Sequence, residues 1–238
     1  MPGTHGATSL GHFMPLLGVV FDFDGVIADT EALHLRAYQE TLVERGFSLS
    51  KTDYFDRYLG YDDVGVVTSV GRDHGIVLKN SEITRLVETK GHRFESLVGT
   101  AHLLFPGSAE CVQRLANETS LGIASGALHA EIEHILTANA LQQYFDVIVA
   151  ADDIERPKPA PDGYLRAVAH LNLNRGGIPA NSYAAIEDSQ WGLIAARAAG
   201  LKTIGITHTY PESSLTDADV IVDSLDEVDR RFLDALCP

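Results

Sequence analysis

A chain of 238 residues with 45% hydrophobic and 21% charged side chains has the composition of an ordinary globular protein, long enough for one large domain or two small ones. Its formal charge of -15 excludes a general grip on nucleic acid or anionic membrane, because phosphate repels an acidic surface; a small anionic substrate in a locally positive pocket remains compatible. Cys111 and Cys237 lie far apart and give neither a disulfide framework nor metal-ligand spacing, which fits a reducing, cytoplasmic setting.

No apolar run is long enough to span a bilayer. Residues 1–14, beginning MPGTHGATSLGHF, lack the basic start and apolar stretch of a secretory signal and read as a loose leader, His5 and His12 included. The first strand is LLGVVFDF (16–23), an apolar run that ends in two aspartates, Asp22 and Asp24. From Glu31 to about Thr100 the pattern is helical. EALHLRAYQETLVERGF places Leu35, Tyr38 and Leu42 on one face and stops at Gly46. NSEITRLVETKGHRFESLV does the same with Ile83, Leu86, Val87 and Phe94, with Asn80 or Ser81 as its cap.

Thereafter short apolar runs alternate with helical patterns. LGIAS (121–125), DVIVAA (146–151), YAAIED (183–188), KTIGIT (202–207) and DVIVDS (219–224) read as strands covered on both faces. HAEIEHILTANAL, PDGYLRAVAHLNL and SQWGLIAARAAG read as helices, the last closed by Gly200. This alternation predicts an α/β fold with a doubly wound, mainly parallel sheet. Residues 15–30 and 101–238 are expected to form the α/β core, and 31–100 an inserted α-helical domain over the C-terminal strand edge, where such sheets bind ligands.

Four polar signals fall at or just beyond strand ends: Asp22 with Asp24, Ser125, Lys158 in RPKPAPDGY, and Glu187 with Asp188. Parallel strands bring such ends to one edge. Carboxylates gathered there need a cation, and oxygen-only ligands favour Mg²⁺. Lys158 adds positive charge, and Ser125 can donate to an anionic oxygen.

On these residues the chain resembles the haloacid dehalogenase superfamily, in the branch with a helical cap after the first motif and a Rossmann-like core. DFDGVIADT matches the family's DxDGxxxDT signature, ASGA its Ser/Thr motif, KPAPDGY its lysine motif and IEDS its acidic motif, over about Leu16 to Leu225. The resemblance implies that Asp22 is the nucleophile of an aspartyl-phosphate mechanism and Asp24 the acid and base. It also implies that Mg²⁺ bridges Asp22, the Asp24 carbonyl and Asp188, with Glu187 either bound directly or placed behind the ligands orienting Ser189. Ser125 and the Gly126 N–H then hold phosphoryl oxygens, Lys158 neutralises charge, and Gly25 turns the chain past the nucleophile.

Retention of Asp24 points to phosphoryl transfer from a small phosphorylated metabolite, such as a sugar phosphate, rather than to dehalogenation or phosphonate cleavage. His34 stands where β-phosphoglucomutase-like members carry a histidine at the cap entrance, and it reads equally as a substrate contact or a half-buried helix residue. Such mutases also carry a Gly-x-Ser-Arg loop for a second phosphate; YLGYDDVG has Asp62 and Asp63 there, which argues for a phosphatase. Lys90, which has a near match in mutase-like caps, keeps a phosphosugar mutase as the alternative, and a non-catalytic phosphate-binding member is a third reading. Receiver domains share the acids, Ser/Thr and Lys but are half as long and have no place for the helical insert. Asp29 and Thr30 are expected to tie down the hinge, and Trp191 to pack between helix and sheet. The remaining histidines show no metal spacing, and oligomeric state is not readable.

Overall fold

The computed structural model describes residues 16–59, 61–99, 103–173 and 177–236. The expected leader and Cys237 lie outside the described residues. Six parallel strands form one sheet in the order β3-β2-β1-β4-β5-β6: β1 (Gly18–Phe21), β2 (Ser120–Ala124), β3 (Val147–Val149), β4 (Tyr183–Glu187), β5 (Lys202–Ile206) and β6 (Val220–Val222). Each predicted strand is present. Connections that return every strand in the same direction need crossovers: α5 (Ser108–Ala116), α6 (His129–Ala138), α7 (Asp162–Leu171) and α8 (Gln190–Ala198) lie in those that lead to β2, β3, β4 and β5, a short 3₁₀ turn (Glu212–Ser214) lies in the one to β6, and α9 (Arg230–Ala235) follows the last strand.

The sheet is covered on both faces. Val19, Phe21, Ile123 and Ile186 pack with Cys111, Leu115, Ile132 and Leu233 of α5, α6 and α9. Val20, Ala185 and Tyr183 pack with Tyr164, Val168, Ala195 and Ala196 of α7 and α8. That two-sided burial explains why the strand sequences lack polar alternation. Gly200 adopts φ 87° just past α8, as its predicted role as helix stop requires.

Between β1 and β2 lie α1 (Glu31–Leu42), α2 (Lys51–Asp53), which continues as a π-helical turn (Tyr54–Tyr58), α3 (Asp63–Asp73) and α4 (Asn80–Val98). Leu35, Tyr38, Leu42, Tyr54, Val67 and Leu86 bury one another in a cluster of their own. Phe94 and Val98 instead join the sheet-side core. Gly46 ends the first helical stretch with φ 75°. The expected cap of α4 is displaced by one residue: Lys79, in extended conformation, precedes the helix, and Glu82 reaches back toward its N–H at 3.4 Å. Asn80 and Ser81 lie within the first turn. Among the described residues no helix is long and apolar enough to cross a membrane.

Leu42 is fully buried in the helical unit, so Leu42→Ala is expected to lower stability by about 2–5 kcal/mol, read from urea unfolding.

Candidate active site

β1 lies between β2 and β4, and Phe21 is level with both Ile123 and Ile186. The residues that follow these strands therefore emerge together. Asp22, Glu187 and Asp188 each offer a carboxylate oxygen, all within 4.8 Å of one another. Two glycines make the room. A Cβ on Gly25 would stand 1.8 Å from Asp188 Oδ2, and Gly25 has φ 79°. A Cβ on Gly192 would stand 1.8 Å from Glu187 Oε1.

Lys158 Nζ bridges the carboxylates, 2.8 Å from Asp22 Oδ1 and 2.6 Å from Glu187 Oε1. Glu187 is fully buried, and its other donors are the Tyr164 hydroxyl at 2.6 Å and the Ser189 hydroxyl at 3.2 Å. Ser189 in turn caps α8 by accepting the Gly192 N–H at 3.1 Å. Burial, then the charge of Glu187, push Asp22 up to about 7, even with Lys158 beside it. Asp188 is raised well above the carboxylate range by burial and by Asp22 and Glu187. Burial alone would lower Lys158; Asp22 and Glu187 outweigh it and hold the ammonium charged. The donor set is all carboxylate oxygen and carries surplus negative charge, so a hard divalent cation fits it in both respects.

Asp24 has separate surroundings. Oδ1 accepts a hydrogen bond from the Thr30 hydroxyl, and His34 Nε2 stands 3.7 Å away. Thr30 opens α1 without making a capping bond, and its hydroxyl donates to Asp24 instead. It is thus more than the hinge tie expected of it. His34 is buried and stacks on Phe94 with ring centroids 4.0 Å apart. Burial raises the Asp24 pKa, but His34, Thr30 and Lys90 outweigh it and hold the carboxyl below its ordinary value. Burial and Lys90 lower His34, while Asp24 and Glu31 more than compensate and raise it.

A cavity of about 320 Å³ joins these groups and is lined also by Ser125, Gly126, Lys90 and Trp191. Ser125 is buried at the end of β2, its Oγ accepting the Ala127 N–H at 3.0 Å, and Gly126 is exposed beside it. Lys90 is buried in the helical unit, with Nζ 3.0 and 3.1 Å from the Asp63 carboxylate oxygens and 3.8 Å from Glu131 Oε1. Asp22, Asp24, His34, Lys90, Ser125, Gly126, Lys158 and Asp188 therefore line this one cavity, whereas Gly25, Asp29 and Thr30 stand outside its lining and Glu187 lies buried behind it, holding Lys158. One expectation is corrected. Trp191 does not pack between helix and sheet: it is 45% exposed and borders the cavity from the first turn of α8, just after Asp188, while Gly192 and Leu193 beside it are buried.

Sequence reasoning missed Tyr164, Glu131 and Glu31. The last two occupy first turns of helices that directly follow site motifs, a position that favours carboxylates and was the available signal. Glu31 accepts the Tyr54 hydroxyl at 2.8 Å, and burial foremost, with Asp24, pushes it up to about 7. Its native form thus binds a proton more tightly than the unfolded chain. Its contribution to stability is full below the ordinary value of 4.5 and is lost as pH rises toward 7. Between about pH 5 and pH 8 the melting temperature of the wild type should fall by a few degrees more than that of Glu31→Gln, read by calorimetry.

Residues 19–206 match the haloacid dehalogenase-like hydrolase family. Protein CbbY of Rhodobacter capsulatus is 32% identical over 198 residues, 80% of this chain and 85% of its own. The β-phosphoglucomutase of Bacillus subtilis is 29% identical over 220 residues, 90% of this chain and 92% of its own. A crystal structure of a CbbY mutant from Rhodobacter sphaeroides in complex with xylulose 1,5-bisphosphate superimposes with a TM-score of 0.79 at 27% identity, covering 89% of this chain and 96% of that one. The buried acids at the ends of β1 and β4, and the lysine between them, are thus features of a chain that belongs to the haloacid dehalogenase-like hydrolases.

Proposed function

We propose that this chain is a Mg²⁺-dependent phosphatase that hydrolyses a small phosphorylated metabolite through an aspartyl-phosphate on Asp22. The observation that carries this reading is the meeting of Asp22, Asp188 and Lys158 in a cavity that Ser125 and Asp24 also line. Asp22 attacks phosphorus in line, and the new bond forms as the bond to the leaving alcohol breaks. Asp24 gives its proton to that leaving oxygen, then takes one from the water that cleaves the acyl phosphate. A phosphoryl group arriving beside Asp24 adds negative charge, which raises its proton affinity when a proton is needed.

Thr30 and His34 fix the direction of the Asp24 carboxyl, Ser125 and the Gly126 N–H hold phosphoryl oxygens, and Lys158 meets the charge on them. Asp22, Asp188 and the Asp24 carbonyl would hold the ion, with Glu187 adjoining. Bound there, Mg²⁺ would supply the charge that lets one anion approach another. Glu187 acts mainly by positioning Lys158, since its two oxygens already accept from three donors. Residues 31–100 serve as a cap over the core formed by 15–30 and 101–238, with His34 and Lys90 facing the leaving group.

The alternative is a phosphosugar mutase, supported by the Bacillus subtilis relative and by Lys90. Against it stands the Asp63–Lys90 pair: the cation that would meet a second phosphate is already neutralised.

Phosphate release from a panel of sugar phosphates and an aryl phosphate is expected with Mg²⁺ and not with chelator. Asp22→Asn should lower kcat on the order of 10³-fold or more. Absence of release across the panel would overturn the reading, and conversion of β-glucose 1-phosphate to glucose 6-phosphate without net release would select the mutase. Gly192→Ala should drive Glu187 from its place and cost activity through Lys158, read as a fall in kcat larger than the rise in KM.

A further inference from the structure

Trp191 is the sole tryptophan of the chain, and 45% of it is exposed in the wall of the cavity, one helical turn beyond Asp188. A large aromatic surface left uncovered inside a cavity is costly in water and useful against a ligand face. On the helical side the same cavity is bordered by Tyr61 and Val64, each 50% exposed. The lining here includes carboxylate acceptors beside the tyrosine hydroxyl. Glu131 is 93% buried, being 7% exposed, and its Oε1 has no hydrogen-bond donor. Asp62 borders the cavity, and the one lysine there, Lys90, is held by Asp63.

Aromatic faces beside carboxylate acceptors suit a hydroxylated ring, whose C–H face stacks while its hydroxyls donate. They do not suit a second phosphate, which among the described lining residues of this part finds acceptors and no uncommitted cation. The volume of about 320 Å³ is at the small end of the range for small-molecule sites. We infer that Trp191 is the specificity-determining wall of the leaving-group pocket, stacking on the ring of a monophosphate that carries hydroxyls and no second anionic group. The inference rests on the phosphatase reading for its substrate end. It separates this chain from the relative crystallised with xylulose 1,5-bisphosphate.

Because Trp191 is the only tryptophan, its emission reports the pocket without turnover. Asp22→Asn with Mg²⁺ would be titrated with hexose and pentose monophosphates, with fructose 1,6-bisphosphate and with inorganic phosphate. A saturable change with a cyclic sugar monophosphate, at least about tenfold tighter than with the bisphosphate and absent with inorganic phosphate, is expected. In the otherwise wild-type enzyme, Trp191→Ala should lower kcat/KM for that monophosphate relative to acetyl phosphate by about tenfold, mainly through KM, and Trp191→Phe should restore most of it. Hydrolysis of acetyl phosphate with silent emission across the panel, or an unchanged ratio in Trp191→Ala, would overturn the inference and leave the phosphatase standing. A saturable emission change with no hydrolysis of any probe would sink the phosphatase and keep the pocket.

Discussion

The structure depends on holding three carboxylates and one ammonium together where two buried strands end. Asp22, Glu187 and Asp188 would repel one another and lose hydration at a cost no core of ordinary size absorbs lightly. Lys158 makes the arrangement tolerable by touching two of them, and Tyr164 and Ser189 supply Glu187 with its remaining donors. Two backbone positions without side chains, Gly25 and Gly192, give the acids space. A local arrangement that is poor for stability and yet supported from so many directions is where function is expected in a folded chain.

Asp24 stands two residues from Asp22 and in a different electrostatic setting. Its partners come from the start of the helical unit: Thr30 at the threshold of α1 and His34 one turn in. The side chain that would move protons is therefore aligned by the segment that leads into the helices, whereas the side chain that would attack phosphorus is aligned by the sheet. Any shift of α1 relative to β1 would disturb the first and spare the second. The stacking of His34 on Phe94, itself buried with the sheet-side core, ties α4 to the same alignment.

The strands were legible because a parallel sheet buried on both faces requires short unbroken apolar runs, as VVF, IVA and YAAI show. The acids of the site were legible because each stands where such a run breaks. Partners that meet only in space were not. Lys90 contacts Asp63 and Glu131, which lie 27 and 41 residues away and on different elements, so no window of sequence joins them. Trp191 was misread for a related reason. Helical periodicity correctly buries Leu193, Ala195 and Ala196, but it carries no information about which residue of the first turn faces a cavity. The cap of α4 moved by one residue because Glu82 can reach back to accept the Lys79 N–H, a bond that competes with a simple Asn or Ser cap.

The acidity of the chain also bears on how the cavity selects. A net charge of -15 opposes the approach of any phosphate ester, yet ions screen such fields beyond roughly 8 Å at physiological salt. Long-range repulsion therefore treats monophosphates and bisphosphates with little difference. On the proposed reading the discrimination would arise inside, where a charge meets either Lys158 or the Asp63–Lys90 pair. One phosphate can be satisfied at the inner end, because the ammonium there lies beside the reacting atoms. A second would have to draw Lys90 away from Asp63, leaving the part-buried carboxylate without its partner. On the proposed reading, charge selection would thus turn on position: both lysines are paired with carboxylates, but only Lys158 stands beside the atoms that would react.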